Sequence, residues 1–311
     1  MSEGPSTATP DAESGVVGDP AGVPDEVVEA TAQSAAEPKK SRAGRDLKSA
    51  IGVGVGLGAL VLASLLFRKE FFLPLLVVAV CLGAWEVRRA LLSARINAPI
   101  VPILLGCVSM LVAAYLRGAE ALAITFGLTC TAIIVWRAAE GARGAFRDIS
   151  GGIFVAFYPC LIAGFASLLL AEPDGHRRIV FFVLVTVFSD IGGYAVGVLF
   201  GKHPMAPSIS PKKSWEGFAG SVVICTIVGI LAMTYLVGGR WWVGGLIGAV
   251  AAAVATIGDL IESSLKRDLG IKDMGTLLPG HGGIMDRLDS LVMTLPIIWG
   301  LLWWLAPATG A

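Results

Sequence analysis

The chain is short of charge. Only 15% of its 311 residues are Asp, Glu, Lys or Arg, while 55% are hydrophobic; soluble domains carry about a quarter charged residues. An ordinary soluble globular fold is excluded. Cysteine is sparse, and Cys81, Cys107, Cys130, Cys160 and Cys225 all lie inside apolar runs with no CxxC pair. A disulfide framework or a thiolate zinc site is therefore not expected. The three histidines are scattered, with no HExxH spacing. The apolar runs do not alternate, which excludes a transmembrane β-barrel. No internal repeat is evident, which argues against an inverted-repeat transporter. A cleaved signal peptide is not expected either, because the polar stretch before the first apolar run is long and acidic. Formal net charge is zero, and no nucleic-acid partner is expected.

What remains is apolar length. Runs of about 20 residues predict an all-α, polytopic integral membrane protein. Nine segments can be drawn, near 50–67, 71–92, 98–116, 119–136, 150–171, 178–200, 217–237, 241–264 and 286–306. The first two are parted only by Arg68, Lys69 and Glu70, so they form a tight hairpin or a partly re-entrant element. Residues 1–48 read as a disordered cytoplasmic tail, rich in Ala, Ser, Pro, Gly and acids. The tail ends in Lys39, Lys40, Arg42, Arg45 and Lys48, a topology signal that also attracts anionic lipid. Residues 49–175 are read as N-terminal transmembrane helices and 176–311 as a catalytic transmembrane region. With the N-terminus inside, only Arg68, Lys69, Arg117, Arg177, Arg178 and Arg240 fall outside. That positive-inside bias of about three to one predicts a cytoplasmic N-terminus in a plasma-membrane protein.

Three places interrupt the apolar pattern. The first is Asp190, well inside the sixth run and followed by Gly192 and Gly193. An intramembrane carboxylate should face a polar cavity or a cation, although a structural hydrogen bond to a neighbouring helix would also account for it. The two glycines suggest a broken or closely packed helix. The second is SISPKKSWEGFAGS, residues 208–221, in which Ser214 can cap the next helix and Glu216 falls in its first turn. Lys212 and Lys213 beside that helix start could bind an anion; by composition alone an ordinary cytoplasmic basic loop is the better explanation, because all the inside loops are basic.

The third is Gly258–Ser290. Asp259, Glu262, Ser263 and Lys266 share one helical face. A glycine-rich loop follows, and then Asp286 and Asp289 one turn apart. Asp259, Asp286 and Asp289 converging from two helix ends suit a hard divalent cation such as Mg²⁺. Nearby bases would complement phosphate oxygens, and together these groups indicate phosphate chemistry at a cytoplasmic membrane face. The alternative is a salt-bridged interhelical loop.

These residues carry a family resemblance. Ser263-x-Leu265-Lys266-Arg267, then Lys272-Asp273-x-Gly275, then Leu278-Pro279-x-His281-Gly282-Gly283-Ile284-x-Asp286-Arg287-Leu288-Asp289 resembles the signature of the phosphatidate cytidylyltransferases, or CDP-diacylglycerol synthases. The segments around Asp190 and Lys213 resemble the same family, so the likeness covers about residues 180–290. It implies CMP transfer from CTP to phosphatidic acid, giving CDP-diacylglycerol and pyrophosphate for phospholipid synthesis. It also implies Mg²⁺, with a second ion such as K⁺. Carried over by position, Asp259, Asp286 and Asp289 match metal-binding acids. Lys213, Lys266, Arg267 and His281 fall in motifs associated with substrate phosphates. Lys212, Ser214, Asp190, Ser263, Lys272 and Arg287 complete the expected substrate-contacting set. Rival readings are a CTP-dependent transferase or kinase acting on another membrane lipid, and an ion-coupled transporter. The bilayer is the third partner, and Gly- and Ala-rich faces are compatible with a homodimer.

Overall fold

Ten α-helices follow one another in a computed structural model that describes residues 43–275, 277 and 282–307. The chain divides into two units, Met1–Gly44 and Arg45–Ala311. The described residues fall in the second, apart from Ala43 and Gly44, which begin its first helix. The expected disordered tail therefore lies almost wholly outside the described residues.

The helices are α1 (Ala43–Phe67), α2 (Phe72–Leu91), α3 (Ile100–Arg117), α4 (Ala119–Ala139) and α5 (Ala145–Val155). They continue as α6 (Ile162–Ala171), α7 (Gly175–Phe200), α8 (Trp215–Ala232), α9 (Trp241–Asp268) and α10 (Met285–Leu305). Helices α5 and α6 are one rod joined by a π turn, Ala156–Leu161, which contains Pro159. Proline has no N–H to give the helical ladder, and the wider turn absorbs that gap.

Among the described residues, eight stretches are long and apolar enough to cross a membrane. They match eight of the nine segments drawn from hydropathy. The remaining one, 50–67, falls in α1, where Gly58–Phe67 counts as a shorter apolar helix. The molecule is a multi-pass membrane protein. The stretch Ala145–Ala171 is its centre, with 72% of its apolar window buried. One element was not expected: an antiparallel hairpin, β1 (Pro204–Ala206) with β2 (Ser210–Ser214), between α7 and α8. Its strands are short and carry prolines, so no alternating pattern announces it.

Small residues let the helices that build the site approach closely. A Cβ on Gly193 of α7 would stand 2.6 Å from Ser221 Oγ of α8. One on Gly217 would stand 2.8 Å from the Gly193 carbonyl oxygen. Small residues four apart on facing helices, here Gly193 and Gly197 against Gly217 and Ser221, let membrane helices pack without large side chains between them. Helix α7 runs unbroken through Gly192 and Gly193, so of the two readings of that pair the close-packed one holds. At one end of the bundle, Ser93 Oγ just after α2 donates to the Leu269 carbonyl just after α9, at 3.2 Å. The hairpin and the α9–α10 loop belong to that same end.

Candidate active site

Ser214 begins the site. It caps α8 as its spacing predicts, its Oγ accepting from Gly217 N at 3.1 Å. The cap fixes the end of β2 and thus Lys212 and Lys213, which precede it. Glu216 ties down the other strand's approach: it accepts from the backbone N–H groups of Lys202 and His203 at 3.1 and 3.2 Å, and meets His203 Nδ1 at 2.6 Å. The hairpin roofs a cavity of about 340 Å³ whose walls include Asp190 and Gly193 of α7, Phe218 of α8, and Thr256 and Asp259 of α9. Lys212, Lys213 and Ser214 also line it. Lys212 is exposed and Lys213 half-buried. Lys213 pairs with Asp259 and donates to the Thr256 carbonyl at 3.2 Å.

Beside the cavity lie the acids. One oxygen each from Asp259 and Glu262, a turn apart on α9, and Asp289 on α10 lies within 4.8 Å of the others. Glu262 is completely buried, and neither of its oxygens accepts a hydrogen bond. It forms an ion pair with Lys266 Nζ at 3.3 Å. A completely buried carboxylate that leans on a single ammonium is costly, and two more acids beside it repel it. A hard cation coordinated by oxygens from all three resolves both problems. The donor set is entirely oxygen, so it suits Mg²⁺ and does not suit zinc.

This cluster differs in one member from the set expected from sequence. Asp259 and Asp289 are together, but the third acid is Glu262. Asp286 stands next to the cluster with its carboxylate engaged elsewhere. It accepts from Gly283 N at 2.8 Å, from Met274 N at 3.0 and 3.1 Å, and from Lys266 Nζ at 3.0 Å. The loop's unpaired backbone donors outcompete the cluster for its oxygens. Lys266 thus bridges Glu262 and Asp286. The signal for Glu262 was present in the sequence, since it lies one turn after Asp259 on the same face.

Asp190 reaches the same place from α7. Ser290 Oγ of α10 donates to its Oδ2 at 3.3 Å. Ser263 is half-buried on α9; Arg267, Lys272 and Arg287 are exposed at the ends of α9 and α10 and in the loop between. His281 lies outside the described residues. Glu86, buried on α2, accepts from Met285 N at 2.9 Å. No local pattern singles it out, because it sits in an apolar run and its partner is 199 residues away.

The cytidylyltransferase family matches residues 48–305, nearly the whole described chain. The chain belongs to that family. Its curated relatives include the phosphatidate cytidylyltransferase of Mycobacterium leprae, 43% identical over 84% of this chain and 89% of the relative. That of Mycobacterium bovis is 40% identical over 84% of this chain and 90% of the relative. A more distant one, from Staphylococcus saprophyticus, is 40% identical over 43% of this chain and 52% of its own length. Cytidylyltransferases are enzymes, and the acids and lysines described above form the candidate active site of this one.

Proposed function

We propose that this cytidylyltransferase transfers CMP from CTP to phosphatidic acid, releasing pyrophosphate and leaving CDP-diacylglycerol in the membrane. The observation that carries the reading is the junction of two unlike surfaces. A lysine-lined cavity large enough for part of a nucleotide opens beside three carboxylates, one of them completely buried next to Lys266. The names borne by the mycobacterial relatives supply the substrates.

Asp259, Glu262 and Asp289 would hold Mg²⁺, which when bound supplies positive charge against phosphate oxygens and the leaving pyrophosphate. A second ion such as K⁺ belongs to the same reading. The chain's own residues do the rest. Lys213 and Lys266 offset the charge of two anions that must meet. Ser214 and Gly217 at the start of α8 line the cavity, and a helix start is a setting that suits phosphate. Asp190 lines the cavity beside Ser290 and helps orient what binds there. An oxygen of the lipid phosphate attacks the α-phosphorus of CTP, and the bond from that phosphorus to the β-bridging oxygen breaks. The attacking oxygen is already ionised near neutral pH, so no strong base is required and positioning dominates.

The bias of Lys and Arg supports a cytoplasmic active site. Arg88, Arg89, Arg95, Arg137, Arg143, Arg147, Lys212 and Lys213 lie at the site's end of the bundle, whereas Arg117, Arg177, Arg178 and Arg240 lie at the other. CTP then arrives from the cytosol and the lipid from the inner leaflet of the plasma membrane. The test is to supply CTP labelled at the α- or the γ-phosphate, with phosphatidate or a polyprenol as acceptor. The proposal expects α-label to enter phosphatidate, in a Mg²⁺-dependent way. Transfer of γ-label to a polyprenol would identify a lipid kinase instead.

A further inference from the structure

Glu86 is a carboxylate where hydropathy predicts only packing. It lies in the last third of α2, is completely out of contact with water, and accepts from Met285 N at 2.9 Å. Two glycines close on it from the α9–α10 loop. A Cβ on Gly275 would overlap its Oε1, and one on Gly283 would collide with its Oε2. The loop's outgoing and returning ends therefore both rest on one side chain. The same two ends are held by Asp286, through Met274 N at 3.0 Å and Gly283 N at 2.8 Å. Two carboxylates from distant parts of the chain thus clasp the loop where it enters α10. Below the clasp, a Cβ added at Gly83 of α2 would stand 3.6 Å from Met285 Sδ and 3.9 Å from Leu288 Cδ1 of α10.

We propose that Glu86 is a positioning residue for the acid cluster. By holding Met285 N at the first turn of α10, it sets the height and rotation of that helix, and so the place of Asp289 beside Asp259 and Glu262. A displacement of about 1 Å at such a supporting contact is enough to spoil a ligand set. Buried charge is expensive in a membrane helix, and a packing role alone would be filled at lower cost by Leu or Met. The inference rests on the reading that the three acids hold a divalent cation.

The experiment uses the full chain purified in detergent and measures Mn²⁺ binding by electron paramagnetic resonance, with no turnover required. Thermal unfolding is measured in parallel. Glu86→Ala removes the acceptor, and Glu86→Asp withdraws it from Met285. Each should weaken Mn²⁺ binding by about 10- to 100-fold. Glu86→Gln keeps an oxygen that can accept from Met285 N and should recover most of the affinity. If Glu86→Ala fails to fold, the Asp and Gln variants carry the comparison. Wild-type affinity in the folded Ala or Asp variants, with only the melting temperature lowered, would overturn the positioning role. A wild-type chain that binds no Mn²⁺ would overturn the cation reading itself, and this inference with it.

Discussion

Ser290 Oγ donates to Asp190 Oδ2 at 3.3 Å, joining helices one hundred residues apart. The bond places the intramembrane acid of α7 next to the residue that follows Asp289. The cavity under the hairpin and the acids on α9 and α10 are thereby walls of one site. Asp190 does not need a partner of its own on α7, because the fold brings one from α10.

Lys213 is the link between the hairpin and the acids. Lys213→Ala removes its ion pair with Asp259 and its bond to the Thr256 carbonyl. The expected result is a KM for CTP raised about tenfold, on the order of 1.4 kcal/mol, with a smaller change in the Mg²⁺ concentration for half-maximal rate. Steady-state kinetics with each varied separately checks it. An unchanged KM for CTP would remove Lys213 from nucleotide binding.

Glu216 should act on the same parameter indirectly. Its carboxylate gathers the Lys202 and His203 N–H groups and the His203 ring. Glu216→Ala frees the hairpin and raises the KM for CTP, while Glu216→Gln, which still accepts from the backbone, falls between the variant and wild type. Mn²⁺ affinity should change less than the KM for CTP in both, since the hairpin meets the acid cluster through the Lys213–Asp259 pair.

Asp286 should matter to turnover although its carboxylate is engaged by the loop and Lys266 outside the acid cluster. Asp286→Asn loses a charge-assisted bond from Lys266 but keeps an oxygen for the loop's N–H groups. It should lower kcat by about 100-fold or more while the protein still inserts and folds. Turnover like wild type at saturating Mg²⁺ would show that Asp286 is not needed for the reaction.

The α7–α8 contact can be tested by volume. Gly217→Ala sets a methyl 2.8 Å from the Gly193 carbonyl oxygen, a backbone atom that cannot rotate away. The helices must part, at a cost of about 1–3 kcal/mol, and the cavity between them deforms. Gly127→Ala is the control, because a Cβ there meets nothing within 4 Å. A lower melting temperature in detergent is expected for the first variant and none for the second.

Hydropathy made the helices legible because a bilayer demands about 20 apolar residues per crossing. The segment drawn at 241–264 and the helix Trp241–Asp268 differ only at the polar end, where Lys266 and Arg267 reach out of the apolar zone. The cap at Ser214 was legible because capping depends on local chemistry. Tertiary choices were not. Asp286 and Asp289 are one turn apart and read as a pair, yet Asp286 turns to Met274 and Gly283, which local spacing does not show to be short of acceptors. Glu262 was visible on the face of Asp259, but its complete burial beside Asp289 appears only when α9 and α10 are packed together. Glu86 was hidden by its own apolar surroundings.

The central claim is that Asp259, Glu262 and Asp289 form the cation site on which CMP transfer depends, and Glu262→Gln tests it most directly. Mn²⁺ binding and transfer of α-label from CTP to phosphatidate are measured on the same detergent-purified protein. The variant is expected to fold, to bind Mn²⁺ at least about 100-fold more weakly, and to transfer little label at any Mg²⁺ concentration. A Glu262→Gln protein that binds Mn²⁺ and makes lipid product like wild type would contradict it.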